Sequence, residues 1–380
     1  MTHPATIPLR PLLILGTRPE AIKMAPLVRE CLRRAPRIDP RICFTGQHAE
    51  MLRQVTDYFD IAPHLELNVM SPGQSLAQLT ARCLTGIDEA IHSQRPDCVI
   101  AQGDTVSVLA ASMSAFFRQI PFVHVEGGLR TGNLSAPFPE EYNRRVASIS
   151  TTLHCAPTAK AAAVLLREGY PAAAVRVTGN TVIDALEWTS NRERQRDDQW
   201  RQKHAALADR QMVLITTHRR ENFGAGLENI CRAIQSLARD FSQVVFVLPV
   251  HLNPQVRQAV EPALAGLDNV LLLPPLPYPE FVWMMDRARL ILTDSGGVQE
   301  EAPSLRKPVV VMRESTERGE AVDCGAVILA GSSCQRIVAA VTRLLTDPTA
   351  YAAMQVDKNP YGDGRAAIRI VDWLLEHFRP

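Results

Sequence analysis

Several patterns that would assign this chain to a common class of protein are missing from its 380 residues. No apolar run reaches the roughly 18 residues that a membrane-spanning helix needs. The chain has 41 basic and 40 acidic residues, a formal net charge of +1 and no basic run. This balance argues against nucleic acids and membrane surfaces as the main partners. No apolar signal core precedes the first predicted strand, so we expect a cytoplasmic protein.

Motifs for metals and common cofactors are missing as well. The eight cysteines never form C-x-x-C, and no two histidines stand in an H-x-x-x-H pair. We therefore expect reduced, mostly buried thiols and no metal site. The dinucleotide motif G-x-G-x-x-G does not follow the first predicted strand, and the P-loop motif G-x-x-x-x-G-K-[ST] is not found. We expect no cofactor, and a phosphate-bearing ligand would have to be held by other groups.

Short apolar runs do alternate with helical patterns along the whole chain. We predict about six strands before the charged stretch at residues 191–210 and five after it. This alternation indicates an α/β protein with two Rossmann-like, doubly wound parallel sheets. We expect an N-terminal domain over residues 1–190, a second over 191–363, and a C-terminal helix within 364–380 that crosses back to the first domain. A ligand would bind in the cleft between the domains.

The segment Leu-Ile-Leu-Thr-Asp-Ser-Gly-Gly-Val-Gln-Glu-Glu-Ala-Pro-Ser at residues 290–304 is the most informative. It predicts a buried strand, a turn at Ser295, Gly296 and Gly297, and a helix over 298–302. Free N–H groups at such a helix start can hold a phosphate, and glycines let a diphosphate approach closely. Glu301 could then reach sugar hydroxyls. The alternative is an ordinary glycine-rich turn with a solvated helix face.

Polar residues also stand at the ends of four other predicted strands. They are Arg18 and Lys23 after strand 12–15, Asp104 after 98–101, Glu126 after 121–125, and His218 with Arg219 after 213–217. Each has a simpler explanation when taken alone, such as helix capping by Asp104 or a buried, hydrogen-bonded His218. Because open parallel sheets bind ligands beyond the carboxyl ends of their strands, the set together favours a binding site.

A further helix is predicted to start at Pro-Phe-Pro-Glu-Glu-Tyr-Asn-Arg-Arg, residues 137–145. Acids in a first helical turn suit the helix dipole, which accounts for Glu140 and Glu141 without any function. Arg144 stands four residues after Glu140 and could pair with it. The functional interpretation places Glu140 beside Asp104 and Glu126, where the carboxylates could act as acid and base.

Six motifs occur in a fixed order along the chain. They are GTRPEAIKM at 16–24, QGDT at 102–105, HVE at 124–126, PEEYNR at 139–144, THRREN at 217–222 and DSGGVQEE at 294–301. Together they resemble the bacterial non-hydrolysing UDP-N-acetylglucosamine 2-epimerases, over nearly the whole chain. The resemblance implies a GT-B fold, a homodimer, and conversion of UDP-GlcNAc to UDP-ManNAc for surface polysaccharide. It also implies anti elimination of UDP to a 2-acetamidoglucal, followed by re-addition of UDP.

The resemblance assigns a role to each matching position. Asp104, Glu126 and Glu140 match the acid/base carboxylates, and His218 matches a histidine near the diphosphate. The matching ligand-binding positions are Arg18, Lys23, Arg144, Leu276, Phe281, Ser295, Gly296, Gly297, Glu301 and Arg318. Within that set Glu301 matches a ribose contact, and Leu276 and Phe281 match the surroundings of uracil.

Some family members bind a second UDP-GlcNAc as an allosteric activator. Gln47, Arg219 and His251 match contacts of that second ligand, as does Glu140. Glu50 and Gly73 stand where activated members can carry Gln and Arg.

Three other functions stay open at this point. The first is 2-epimerisation of a modified UDP-sugar of the 2,3-diacetamido uronic acid type, for which relatives keep the same catalytic groups. The second is a GT-B glycosyltransferase, which would need an acceptor surface. The third is an inactive nucleotide-sugar sensor, which the filled catalytic positions disfavour.

Overall fold

The structure is a computed structural model that describes residues 7–47, 49–207 and 210–379. The chain forms two compact units. The first contains the residues up to Ala185 and those from Tyr361 onward, and the second contains Leu186–Pro360. The first boundary and the predicted one after residue 190 both fall in the helix Thr181–Arg194. The acid/base and UDP-binding roles of the two domains stay predictions.

The described part of the first unit contains a seven-stranded sheet in the order β3-β2-β1-β4-β5-β6-β7, and every pair of neighbours is parallel. Its strands are β1 (Pro11–Leu15), β2 (Arg41–Phe44), β3 (Leu65–Glu66), β4 (Cys98–Gln102), β5 (Phe122–Val125), β6 (Thr151–Ala156) and β7 (Val175–Val177). Its helices are α1 (Arg18–Arg33), α2 (Ala49–Tyr58), α3 (Leu76–Gln94), α4 (Val106–Phe117), α5 (Glu140–Ile149), α6 (Ala159–Arg167), α7 (Thr181–Arg194, which continues into the second unit) and α16 (Ala366–Phe378).

The described part of the second unit contains a six-stranded parallel sheet in the order β10-β9-β8-β11-β12-β13. Its strands are β8 (Met212–Thr216), β9 (Val245–Pro249), β10 (Val270–Leu273), β11 (Leu290–Thr293), β12 (Val309–Val311) and β13 (Val327–Leu329). Its helices are α8 (Asp197–Lys203), α9 (Ala225–Asp240), α10 (Pro254–Leu264), α11 (Tyr278–Arg287), α12 (Gly296–Glu301), α13 (Gly319–Asp323), α14 (Cys334–Thr346) and α15 (Pro348–Ala353).

Buried parallel strands explain why the apolar pattern predicted the fold class correctly. Strands β1, β4 and β11 are buried at every residue, as expected for strands covered by helices on both faces. The predicted strand count was too low, because β3 and β13 were missed. Strand β3 has only two residues, both at least partly exposed, and gives no apolar run. Strand β13 is a three-residue apolar run, Val-Ile-Leu, that was overlooked. No helix in the described part of the chain is both long and apolar enough to cross a membrane.

The strand orders define one switch point in each sheet. In the first unit the chain leaves β1 for β2 on one side and later returns to β4 on the other. In the second unit β8 has β9 and β11 as its neighbours in the same way. Ligands of doubly wound sheets bind beyond the carboxyl ends of the strands at this point. The predicted site residues after β1, β4, β8 and β11 therefore stand at the positions where such sheets bind ligands.

Candidate active site

The loop after β1 is shaped by a helix cap. Thr17 caps α1 by accepting a bond from Glu20 N at 3.5 Å, while the Glu20 carboxyl accepts from Thr17 N at 2.6 Å. This capping box satisfies N–H groups that have no partner inside the helix. Pro19 lies in the first turn, as predicted. The cap places Arg18 at the start of α1 and Lys23 about one turn later, and both side chains are half-buried.

Glu126 follows β5 in an uncommon backbone conformation. Its φ of 66° lies in the left-handed region, which non-glycine residues adopt mainly where the surrounding structure enforces it. Its buried carboxylate accepts from Lys23 Nζ at 2.6 Å, from Asn180 Nδ2 at 3.1 Å and from Gln102 Nε2. Three donors and one positive charge offset the cost of burying this anion. The site therefore holds Glu126 in one defined position.

Two of these donors were missed as site residues from the sequence. Gln102 stands in the QGDT motif, but its side chain was given no role. Asn180 follows Val175–Val177, a strand whose end was not considered. Asn180 would have been found if the polar residues after every predicted strand had been considered.

Asp104 lies next to Glu126, at the end of the neighbouring strand. A Cβ atom on Gly103 would lie 3.9 Å from Glu126 Oε2. The Asp104 carboxylate forms a partly buried ion pair with Arg144, and its carbonyl oxygen accepts from Asn143 Nδ2 at 2.9 Å. Helix α5 therefore holds the Asp104 loop from one side.

Arg144 does not pair with Glu140, as the helical spacing had suggested. Its second ion pair is with Glu141, at 3.5 Å. Glu141 is fully buried and accepts from Thr131 N at 3.0 Å and from Arg145 Nε at 2.9 Å. Burial alone would raise the pKa of Glu141, but these bonds and the nearby arginines lower it below its usual value. Glu141 thus has a structural role.

Glu140 differs from its neighbour in both exposure and contacts. It is half-buried, and its carboxylate makes no hydrogen bond or ion pair with the described residues. It stands one helical turn before Arg144, the residue that contacts Asp104. The acid/base role of Glu140 stays a prediction that this exposure permits.

A buried histidine holds the Asp104 loop from the other side. His124 Nε2 lies 2.7 Å from the carbonyl oxygen of Gly103. Burial lowers the pKa of His124, so a neutral ring donates this bond through Nε2–H. His154 lies beside it, and burial, with a smaller effect from the charge of Arg130, lowers its pKa to about 3. Neither histidine was predicted from the sequence to have a role.

In the second unit, Asp294 anchors the loop that carries His218. This fully buried carboxylate follows β11 and accepts four bonds at Oδ2 from the loop after β8. The donors are Thr217 Oγ1, His218 N, Arg219 N and Asn222 Nδ2, at 3.0 to 3.1 Å. One buried anion thereby fixes two neighbouring strand ends, and it too was missed as a site residue.

His218 lies against Asp294 and His251. Its Nδ1 is 3.3 Å from Asp294 Oδ1, and its ring stacks on His251 with centroids 5.6 Å apart. Burial lowers the pKa of His218, against the opposing effect of the Asp294 charge. Burial, together with the charges of Arg313 and Arg318, also lowers the pKa of Arg219. Positive charge is therefore concentrated beside a largely neutral histidine.

The Ser295-Gly296-Gly297 turn has the predicted strand–turn–helix form. Helix α12 begins at Gly296, two residues earlier than expected, because Ser295 occupies the N-cap position. A Cβ atom on Gly296 would lie 2.8 Å from Arg318 Cζ, so glycine is what lets the guanidinium pack on this turn. Arg318 also bonds to Glu300 through Nε at 3.0 Å. Its Nη1 lies 3.2 Å from a carboxylate oxygen of Glu317, so two carboxylates hold the guanidinium beside the turn.

Glu301, Leu276 and Phe281 are the other residues predicted to contact the nucleoside. Glu301 is buried and accepts from Tyr278 OH at 2.9 Å. Leu276 is buried just before α11, and Phe281 is half-buried within that helix. The Tyr278 bond thus joins the helix that carries Phe281 to the helix that carries Glu301.

The proposed allosteric positions are divided between the two units. Gln47 belongs to the first unit and lies 3.3 Å from Ser107 Oγ through Oε1, whereas Arg219 and His251 belong to the second. The side chain of Glu50 lies outside the described residues. The allosteric role of these residues stays a prediction. Within the described residues, no three His, Cys, Asp or Glu side chains are grouped so as to hold a metal ion.

The fold and the residues at its switch points define a protein of the GT-B-like class, built from two Rossmann-like units. The family described as UDP-N-acetylglucosamine 2-epimerase matches residues 30–375. The chain belongs to this family, which confirms the resemblance noted from the motifs.

Individual relatives match over nearly their full length. The UDP-N-acetylglucosamine 2-epimerase of Yersinia pestis is 50% identical over 96% of this chain and 98% of its own. The enzyme of the same name from Escherichia coli K12 is 49% identical over 96% and 97%. A crystal structure of the UDP-GlcNAc 2-epimerase from Neisseria meningitidis, bound to UDP-GlcNAc, has a TM-score of 0.92 and 44% identity, covering 97% of this chain and 100% of that one.

Proposed function

We propose that this protein catalyses the reversible C2 epimerisation of UDP-GlcNAc to UDP-ManNAc. The observation that carries the proposal is the pair of carboxylates on adjoining strand ends, Asp104 and Glu126, each held by a cationic side chain. Family membership supplies the substrate class, because the relatives are named for this reaction.

The chemistry explains why carboxylates and a diphosphate site are both needed. The C2 proton of the intact sugar is not adjacent to a carbonyl group and is therefore not acidic. Anti elimination breaks the C2–H and C1–O bonds, so that a carboxylate takes the proton and UDP leaves with the bonding electrons. The 2-acetamidoglucal then accepts a proton at the opposite face of C2 while UDP re-forms the bond at C1. One group must therefore remove a proton at one face of C2, and another must deliver a proton at the opposite face.

The two units are proposed to supply different parts of this reaction. Asp104, Glu126 and Glu140 of the first unit handle the protons, and Arg18, Lys23 and Arg144 bind the substrate. The second unit holds UDP through Ser295, Gly296, Gly297, Arg318, Glu301, Leu276 and Phe281, with His218 near the diphosphate. The glycine turn under Arg318 supports this assignment, since arginine and helix-start N–H groups are common phosphate ligands.

The reaction is tested by incubating the protein with UDP-GlcNAc in D2O without any acceptor and following C2 by NMR. Deuterium at C2 together with UDP-ManNAc is the expected result. Exchange only with a 2,3-diacetamido uronic acid donor would shift the assignment to that modified sugar. Transfer to an acceptor without C2 exchange would instead establish a glycosyltransferase.

The carboxylate roles are tested by Asp104→Asn and Glu126→Gln. Each variant should lose at least about 100-fold in kcat, because acid/base groups contribute roughly this much. UDP should still bind, since its proposed contacts lie in the second unit. Glu89→Gln is a matched control, because Glu89 is an exposed carboxylate of the same unit. Near-normal turnover in either site variant would contradict the acid/base assignment.

We also propose a homodimer. Phe116 and Phe117 are each 64% exposed at the end of α4, and Ile149 is 77% exposed at the end of α5. Exposed apolar residues of this size are typical of protein interfaces. Sedimentation should give twice the chain mass of 42.0 kDa, and Phe117→Ser should lower it; a monomeric wild type would reject the dimer.

A cytoplasmic location is proposed from the thiols. All eight cysteines are free, and six of them are buried, as in proteins from a reducing compartment. Cell fractionation with an antibody would test this location.

A further inference from the structure

Glu20 is a buried carboxyl group that the proposed chemistry does not use. It lies in the first turn of α1 and is 3% exposed. Within the described residues its hydrogen bonds come from backbone N–H groups and a hydroxyl, and no arginine or lysine pairs with it. A carboxyl buried in this way requires an explanation.

The bonds of Glu20 join the two loops at the switch point of the first sheet. Its Oε2 accepts from Gly16 N at 2.9 Å and from Thr17 N at 2.6 Å. Its Oε1 bonds to Thr105 Oγ1 at 2.5 Å. Arg18 directly follows the first pair, and Asp104 directly precedes Thr105. One side chain thus connects the backbone next to a proposed ligand-binding arginine with the backbone next to a proposed acid/base carboxylate.

The packing around this bridge leaves little room for adjustment. A Cβ atom on Gly16 would lie 2.3 Å from Ser107 Oγ and 2.8 Å from Thr45 Oγ1. Thr105 is also the N-cap of α4 and accepts from Val108 N at 3.4 Å. Glu20 therefore ties together the starts of α1 and α4 in a close-packed region, where a displacement of one loop would be passed to the other.

We propose that Glu20 is a positioning residue that fixes the Asp104 carboxylate relative to Arg18 and Lys23. This inference rests on the proposed epimerase function of the same site. Reacting groups must be placed to within a fraction of an ångström, and a misplacement of about 1 Å can cost roughly 100-fold in rate. Glu20 provides that precision without touching the sugar.

The bridge to Thr105 does not depend on the charge of Glu20. Burial raises the pKa of Glu20 to about 7, against the lowering effect of its hydrogen bonds. A carboxylate accepts from the Thr105 hydroxyl, whereas a protonated carboxyl can donate to the same oxygen. The amide of glutamine can reproduce this arrangement, with its oxygen toward Gly16 N and Thr17 N and its NH2 group toward Thr105 Oγ1.

The experiment compares Glu20→Ala and Glu20→Gln in the full-length protein, measuring kcat and KM for UDP-GlcNAc and the affinity for UDP. Alanine should lower kcat by about 10- to 100-fold, with KM and UDP affinity within about 3-fold of wild type. Glutamine should restore kcat to within about 3-fold. Glu30→Ala is the matched control, because Glu30 is a buried carboxylate of the same helix that pairs, among the described residues, with Arg33 and Arg34. It should lower stability and leave kcat unchanged.

Two results would overturn the proposal. Alanine with normal kcat would show that no positioning is required, and glutamine as inactive as alanine would show that the proton itself matters. If the alanine variant does not fold, Glu20→Asp decides. Its side chain is shorter by about 1.5 Å, so it should lose the Thr105 bond and lower kcat, and retained kcat would again reject positioning.

A wild type without C2 exchange would reject the epimerase function separately. Crystal structures of the variants would then test whether Glu20 positions Asp104. A displaced Asp104 in Glu20→Ala, but not in Glu20→Gln, would support it, and an unmoved Asp104 would overturn it.

Discussion

The anchoring of the His218 loop by Asp294 gives a sharp prediction for the second unit. Replacing Asp294 with alanine removes an acceptor that four donors share at one oxygen. One of the four, Asn222 Nδ2, also donates to Met312 O at 3.2 Å and would keep that bond. Asparagine keeps an oxygen of the same shape at that position but removes the charge. The two substitutions therefore separate hydrogen bonding from electrostatics.

The magnitudes follow from the contacts. Each buried donor left without a partner costs about 1–3 kcal/mol, and water entering the space would satisfy some of the four. We expect Asp294→Ala to lose at least about 3 kcal/mol of unfolding free energy. Asp294→Asn should lose about 1–2 kcal/mol, because weaker neutral bonds are offset by the lower cost of burying an uncharged group. The pKa of His218 should fall further in Asp294→Asn, since the Asp294 charge now raises it.

Urea unfolding followed by tryptophan fluorescence measures the stabilities, and three of the four tryptophans lie in the second unit. The His218 pKa is read from its ring proton by NMR. Asp268→Asn, an exposed acid of the same unit, is the control and should change stability by less than about 0.5 kcal/mol. Asp294→Ala as stable as this control would refute the anchor. An unchanged His218 pKa in Asp294→Asn would refute the electrostatic part alone.

Three further predictions concern packing and pH. Gly296→Ala should displace Arg318, whose Cζ would lie 2.8 Å from the new Cβ atom. Loss of a charged contact of about 1.5–3 kcal/mol should weaken UDP binding by at least about 10-fold in calorimetry; unchanged affinity would remove Arg318 from the UDP site. Gly128→Ala should cost about 3 kcal/mol or more in denaturant unfolding, because its Cβ atom would meet a carbonyl oxygen of α6 at 2.4 Å at a φ of +96°. Gly132→Ala, at a φ of +80° with nothing within 4 Å, should cost only about 1–2 kcal/mol, and equal losses would refute the steric argument. Because burial raises the pKa of Glu20 from 4.5 to about 7, the unfolded chain releases this proton at lower pH than the folded protein. Its stability contribution is complete below about pH 4.5 and should decline by about 3 kcal/mol as pH rises to about 7. Glu20→Gln should lack this decline in urea unfolding at pH 5 and 8, and parallel curves for variant and wild type would reject the shift.

The fold could be predicted because its evidence is local. Buried parallel strands appear as short apolar runs, and the polar residue that follows each run marks the carboxyl end of a strand. This pattern was enough to predict two parallel sheets. It was also enough to place Arg18, Asp104, Glu126, His218 and the Ser295 turn after strands. It failed for β3, whose two residues carry no such pattern, and the short apolar run of β13 was overlooked.

The side-chain partners could not be predicted, because they are not local. Lys23 and Glu126 are 103 positions apart, Asn180 and Glu126 are 54 apart, and Glu20 and Thr105 are 85 apart. Even the short-range prediction that Arg144 pairs with Glu140 was wrong, since the arginine turns to Asp104 on another strand end.

The sequence by itself thus determined that Arg18, Asp104, Glu126 and His218 follow the ends of parallel strands. Only the tertiary structure decided which strand ends are neighbours, because the order β2-β1-β4-β5 is a property of the folded sheet and not of the chain. That order brings Glu20 to Thr105 and Lys23 to Glu126. Because burying a carboxylate without a partner is costly, the fold is stable only with these contacts formed.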